Sequence, residues 1–344
     1  MKKLQPTEYM YASARMRALE NHLVGRERME LLMESRTSDE VMDRLAEYGI
    51  APVEAEADAA TLPVGEAQSR AREGMLLAIL KAAYADVEAS VPDPAVFRYF
   101  RYPYDCNNLK AAIKCAIRGI SADELLFDFG TVPAEEVEDL VREGKYDRFP
   151  AAMAVAASEA KAAYDKTGDP RRIDTVLDRA CYEDMLREAA ASGDETLLGW
   201  LRTRIDLTNI LITLRILRMG MGSVGGSFLA EALLPGGTLN GDFFAEAYEA
   251  GEARLWEALM PTAYAKLTAV AGEDRPLSAV EKAADDLYME RVRKDAKTPF
   301  GAPVVGGYLV GCEVSVKNIR IVLAAKDAGL DTTVLRERVR VSYV

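Results

Sequence analysis

Three stretches of this 344-residue chain repeat one pattern, and the repetition limits the folds open to it. They are Tyr104 to Gly119 (YDCNNLKAAIKCAIRG), Ile205 to Gly220 (IDLTNILITLRILRMG) and Val314 to Gly329 (VSVKNIRIVLAAKDAG). In each, Asp105, Asp206 or Ser315 stands three positions before an asparagine, which is Asn108, Asn209 or Asn318. An apolar residue follows the asparagine (Leu109, Ile210, Ile319), and a glycine comes eleven positions after it. Each stretch reads as one short helix. The Asp or Ser is expected at the N-cap, with the amide at the third helical position returning the bond as in a capping box. The glycine is expected in the left-handed conformation that closes many helices.

The repeat is longer than the helix. Leu125 to Gly144 and Leu233 to Gly251 share a Leu pair, a Gly-Thr turn, an acidic helix start and a final glycine, with Gly130 to Gly144 and Gly237 to Gly251 equally spaced. A fainter copy runs from Leu31 to Gly49, and Leu31 follows Gly25 by six residues just as Leu125 follows Gly119. The intervals of roughly a hundred residues exceed the 20–50 of solenoid units, so each repeat is expected to be a small domain. The expected organisation is three similar helical domains, 1–120, 121–221 and 222–344, in a pseudo-threefold funnel-like or ring-like arrangement. Alternating strand patterns with hairpin turns are missing, so the fold class is all-α. Helices are expected at Ser13 to Val24, after Gly25, from a Ser38 cap, and at Glu66 to Ala89, Ala151 to Thr167, Pro170 to Ser192, Glu252 to Val270, Ser278 to Lys294 and Thr333 to Val341. A Pro/Ala/Glu-rich connection starts at Ala51, and the apolar, glycine-rich segment Thr298 to Gly311 has no secure assignment.

Composition narrows function. Forty-three basic against 55 acidic residues give a net charge of −12, which disfavours nucleic acid or an anionic lipid surface as a main partner. Four cysteines (Cys106, Cys115, Cys181, Cys312) form no CxxC pair, so reduced thiols are expected. The first twenty residues lack the apolar core of a secretory leader, and no window has the ~18 apolar residues of a membrane helix. A soluble chain is expected.

Catalytic strings fail on context. Asp128-Phe129-Gly130 reads DFG, but the single histidine, His22, leaves no kinase catalytic loop. Gly220 to Gly225 matches GxGxxG after a helix end rather than a strand, so it is not a dinucleotide fingerprint. One histidine and scattered cysteines offer zinc no ligand set. No cofactor, metal or catalytic cluster is expected, and the chain does not read as an enzyme.

One basic feature stands out. Lys110, Lys114 and Arg118 recur every four residues as a stripe, Arg215 and Arg218 edge the second helix, and Arg320 and Lys326 partly echo them. These are either solvated helix faces or a surface that meets an acidic or polar partner. The asparagines, as first-turn partners, read as structural, with a sharper alternative that equivalent amides hold the domains in register.

Taken together, YMYASARMRALENHL, YDCNNLK, RIDLTNILITLR, LLPGGTL, CEVSVKNIRIVLAAKDAGL and LRERVRVSYV run in order over essentially the whole chain. In that order they resemble the C subunit of the archaeal and bacterial A/V-type ATP synthases, a family related to the d subunit of eukaryotic V-ATPases. The matching positions are Tyr104, Asp105, Asn108, Lys110, Asp206, Asn209, Glu313, Lys317 and Asn318, with departures at Cys106 and at Leu211, which stands where the first repeat has lysine. The resemblance implies three similar helical domains and a non-catalytic rotor part of the central stalk, without catalytic residues or cofactor. It implies partners in the D and F subunits of the central shaft and in the membrane proteolipid ring. It further implies a peripheral position at the cytoplasmic face of the cell membrane, with proton or sodium transport coupled to ATP synthesis or hydrolysis. A helical adaptor unrelated to ATPases stays open as the alternative.

Overall fold

The computed structural model describes residues 4–50, 64–272 and 274–344, so most of the connection expected from Ala51 lies outside the described residues. Among these the secondary structure is entirely helical. In chain order come α1 (Met10–Leu19), α2 (Arg26–Glu34), α3 (Ser38–Glu47), α4 (Val64–Ser90) and α5 (Tyr102–Arg118). Then follow α6 (Ala134–Glu143), α7 (Ala151–Thr167), α8 (Arg171–Ser192), α9 (Glu195–Arg218) and α10 (Gly222–Ala232). The last are α11 (Gly241–Ala250), α12 (Glu252–Leu259), α13 (Leu277–Asp295), α14 (Ala302–Asp327) and α15 (Thr332–Arg336).

The chain forms two compact units, one built on Ala95–Glu273 and the other on Gln5–Pro94 together with Asp274–Val344. Both boundaries expected from the repeat, near residues 121 and 222, fall inside the first unit.

In the first unit α7 and α8 pack along their length, with α5 and α9 laid on α8. Leu109, Ile113, Met153, Ile173, Leu177 and Ile205 are all buried there, each contributing about 2 kcal/mol by removing its side chain from water. The start of α7 has only Pro150 at its N-cap. Asp184, reaching across from α8, accepts from the Ala152 and Met153 N–H groups at 3.0 and 2.9 Å. It thus satisfies donors that a helix start leaves open.

In the second unit α14 is the centre, with α1, α2, α3, α4, α13 and α15 packed on it. Its glycine-rich opening, unassigned from sequence, is helical because it is enclosed: Val304, Val305, Leu309 and Val310 are buried along with Gly306, Gly307 and Gly311. A helix apolar on every side belongs in a core. Gly307 and Gly311, one turn apart, form a trough for Tyr343. A Cβ on Gly307 would lie 2.7 Å from the Tyr343 hydroxyl, and one on Gly311 2.8 Å from its ring.

Four local expectations are corrected. The repeated helices start well before their Asp or Ser: Arg101, Asp194 and Gly301 are the N-caps, so Asp105, Asp206 and Ser315 lie inside the helices and no capping box forms. The α3 cap is Thr37, whose side chain accepts from Glu40 N–H, rather than Ser38. The chain leaves the helical form after Arg336 instead of Val341, and the stretch expected from Glu252 to Val270 breaks after Leu259. The glycine ends of the three helices are left-handed, as the spacing predicts. Gly119, Gly220 and Gly329 have φ of 69°, 63° and 66°, a region open to glycine at little cost.

Candidate functional site

The three asparagines do one thing, and it is not capping. Asn108 donates from Nδ2 to the Phe127 carbonyl and accepts at Oδ1 from the Phe127 N–H, both at 2.8 Å. Asn209 does the same to Leu234, at 2.9 and 2.8 Å, and Asn318 to Arg340, at 2.9 Å each. Each amide is buried in its helix and holds both polar groups of one backbone residue 19, 25 or 22 positions downstream. An amide suits this, because it offers a donor and an acceptor side by side at any pH.

The aspartates clasp the next stretch. Asp105 accepts from Thr131 N–H (2.8 Å), Thr131 Oγ1 (2.6 Å) and Val132 N–H (3.1 Å). Asp206 accepts from Thr238 N–H and Leu239 N–H at 3.0 Å each, from Thr238 Oγ1, and from the Tyr264 hydroxyl at 2.6 Å. The shared Gly-Thr turn thereby acquires a cause. The threonine supplies two donors to the carboxylate, and a side chain on Gly130 or Gly237 would overlap Oδ1 of Asp105 or Asp206. Tyr104 completes the first clasp, edge-on to Phe129 with ring centroids 4.7 Å apart. Burial pushes the Asp105 carboxyl up to about 6, against the pull of the Thr131 and Val132 donors. Burial and the bond to Asp206 also push the Tyr264 hydroxyl well above its ordinary value.

Ser315 brings no carboxylate to the third copy, although it is buried like Asp105 and Asp206. There the acid comes from another helix: Asp286 of α13 accepts from Val341 N–H at 2.7 Å.

The cations singled out from sequence are mostly engaged within the chain. Lys110 and Lys114 pair with Asp178 and Asp174, joining α5 to α8. Burial works against the Lys110 charge, but Cys106 and Asp178 outweigh it and raise its pKa. Arg218 pairs with Glu252 at 2.8 Å and Arg320 with Glu73 at 2.8 Å. Lys326 donates to the Met33 carbonyl at 2.7 Å. Arg118, Arg215 and Arg320 are exposed, and Arg215 too has an interaction within the chain. Of the other matched positions, Glu313 accepts from the Tyr84 hydroxyl at 2.8 Å and Lys317 pairs with Asp285 at 2.6 Å. The partners Asp174, Asp178, Thr131, Tyr264 and Asp286 left no sequence signal of this role beyond the Gly-Thr repeat, because each lies far along the chain from what it holds.

The remaining strings have packing explanations. Gly130 of the DFG string is the residue against Asp105. In the GxGxxG string, Gly225 faces the Tyr248 hydroxyl, which donates to the Gly222 carbonyl at 2.7 Å. The four cysteines are free and buried. Among the described residues no helix is long and apolar enough to cross a membrane.

Buried Asp and Asn side chains spent on anchoring loops to long helices define an all-helical protein whose polar interior is architectural. The ATP synthase (C/AC39) subunit family model matches residues 12–338, and the chain belongs to that family. It is 26% identical to the C subunit of the A-type ATP synthase of Methanocaldococcus jannaschii, over 95% of this chain and 85% of that protein. It is 24% identical to the C subunit of the V-type sodium ATPase of Enterococcus hirae, over 75% of this chain and 78% of that one. The C subunit of the V-type ATP synthase of Thermus thermophilus is 23% identical, over 68% of this chain and 71% of its own. The family sets aside the unrelated-adaptor alternative.

Proposed function

We propose that this chain is a non-catalytic subunit of an A/V-type rotary ATPase, linking a central shaft of D and F subunits to the membrane proteolipid ring. The match to the ATP synthase (C/AC39) subunit family over residues 12–338 carries this reading. The interior supports its mechanical character. Asp105, Asp206, Asn108, Asn209 and Asn318 are consumed in holding backbone, so the buried polar groups stiffen the chain instead of facing a substrate. A part that transmits torque needs loops that stay fixed to its helices, and paired buried hydrogen bonds supply that. The chain would sit peripherally at the cytoplasmic face, in protein contact with the ring, and couple proton or sodium movement to ATP synthesis or hydrolysis elsewhere in the complex. Its three repeated helices are taken as the marks of three like parts about a pseudo-threefold axis. Of the six cations proposed for partner contact, Arg118, Arg215 and Arg320 are the exposed ones and so the best placed for it.

The test is co-purification of the chain with a D/F pair and with detergent-solubilised proteolipid ring. Binding to both is expected, and binding to neither would defeat the proposal.

A further inference from the structure

The second unit contains a cavity of about 510 Å³ between α2, α13 and the extended tail after α15. Met29, Met33 and Val339 give it an apolar floor, and Arg26, Lys282, Arg293, Arg336 and Arg340 ring it with positive charge against one acidic lining side chain, Glu30. Three of the five cations are engaged: Lys282 with Asp286, Arg336 with Glu30 and Arg340 with Asp285. Arg26 on α2 and Arg293 on α13 are exposed and make no ion pair among the described residues.

The tail that walls this groove is held open by the third asparagine clasp. Asn318 takes both backbone groups of Arg340, Asp286 takes Val341 N–H, and the Val344 carbonyl accepts from Arg26 N–H at 3.2 Å. In the first two repeats the same amide fastens a loop that leads into the next helix. In the third it builds the side of a cavity.

We infer that this groove receives an amphipathic protein segment bearing carboxylates, contributed by a neighbouring component of the rotary complex; the inference rests on the function proposed above. Two guanidinium groups on different helices, each with a fork of donors, match carboxylates. The apolar floor between them needs an apolar face from the same partner to be covered. In a chain carrying −12, an apolar cavity edged by two unpaired arginines is a local reversal of sign. Such complementarity selects an acidic partner and speeds its approach.

The test measures the affinity of the full chain for the purified D/F shaft pair and solubilised ring at low and high salt. The comparison is with the double variant Arg26→Glu/Arg293→Glu. Both side chains are exposed, and a thermal melt checks that the variant is folded. One partner's affinity is expected to fall about tenfold or more, with a flatter salt dependence. If the wild-type chain binds and the variant binds equally well, the groove inference fails while the rotary reading stands. If the wild-type chain binds neither partner, the rotary reading fails and the groove inference with it. A variant-free check is hydrogen exchange in the wild-type complex. Residues 29–33 and 339–344 should gain protection on binding, and unchanged exchange there would overturn the inference.

Discussion

Asp105 and Gly130 occupy one shared volume: the carboxylate Oδ1 sits where any Cβ on residue 130 would be. The same relationship recurs between Asp206 and Gly237. Gly130→Ala should therefore destabilise the protein by about 2–3 kcal/mol through overpacking against a charged group. Asp105→Ala alone strands the Thr131 and Val132 donors and should cost about 3 kcal/mol. The double variant should lose clearly less than the two losses added, because the methyl then enters space the carboxylate has left. Urea melts of the four proteins measure the coupling, and strict additivity would contradict the shared-volume account.

The Asp105 carboxyl also sets a pH dependence. Its folded value of about 6 lies above the ~3.9 of an unfolded aspartate, so the native state binds more protons between those limits. Stability from this group is full below about pH 4 and is lost as the pH rises towards 6. The stability of wild type relative to Asp105→Asn should decline over that window and run level above it. A difference that grows with pH would show the carboxyl to be depressed instead.

Each asparagine clasp has a local readout. Asn318→Ala leaves Arg340 N–H and C=O without partners and should cost about 3 kcal/mol. Amide exchange should accelerate at Arg340 before it does in α14. For Asn108→Ala the same sign is expected at Phe127. Aspartate is no substitute at these positions, since it lacks the donor that the carbonyl requires.

The Lys110 and Arg118 positions should behave differently although they share a helix stripe. Lys110→Glu sets a carboxylate beside Asp178 at the α5–α8 contact and should lower the melting temperature by several degrees. Arg118→Glu is expected to leave melting unchanged, because the side chain is exposed. Equal effects would mean that the stripe acts as one surface.

Gly311→Ala would press a methyl into the Tyr343 ring. Displacement of the tail and a loss of about 2 kcal/mol are expected, visible as a changed near-ultraviolet aromatic signal. An unaltered spectrum and melt would show that Tyr343 is not seated in the glycine trough.

How much of this was legible beforehand depends on distance along the chain. Helical periodicity, glycine ends and charge are local properties, so the all-α class, the span of α7 and the left-handed Gly119, Gly220 and Gly329 could be read directly. The family resemblance was legible too, since it depends on the order of motifs. The Asp-x-x-Asn spacing was visible but its meaning was misread. Three residues inside a helix look the same as a cap with its partner until the helix start is known, and α9 begins eleven residues before Asp206. The partners of these side chains lie 19 to 33 residues away, or 58 in the case of Tyr264, and nothing periodic marks them.

Local chemistry, then, settled that the chain makes helices, where glycine ends three of them, and that one polar pattern occurs three times. Packing settled what that pattern is for. The Tyr343 ring is what turns Gly307 and Gly311 into part of a buried helix, and α8 is what turns Lys110 and Lys114 inward. Each of those roles is a bond between groups far apart in sequence, which exists only once loop-closure entropy has been overcome and the two segments have met.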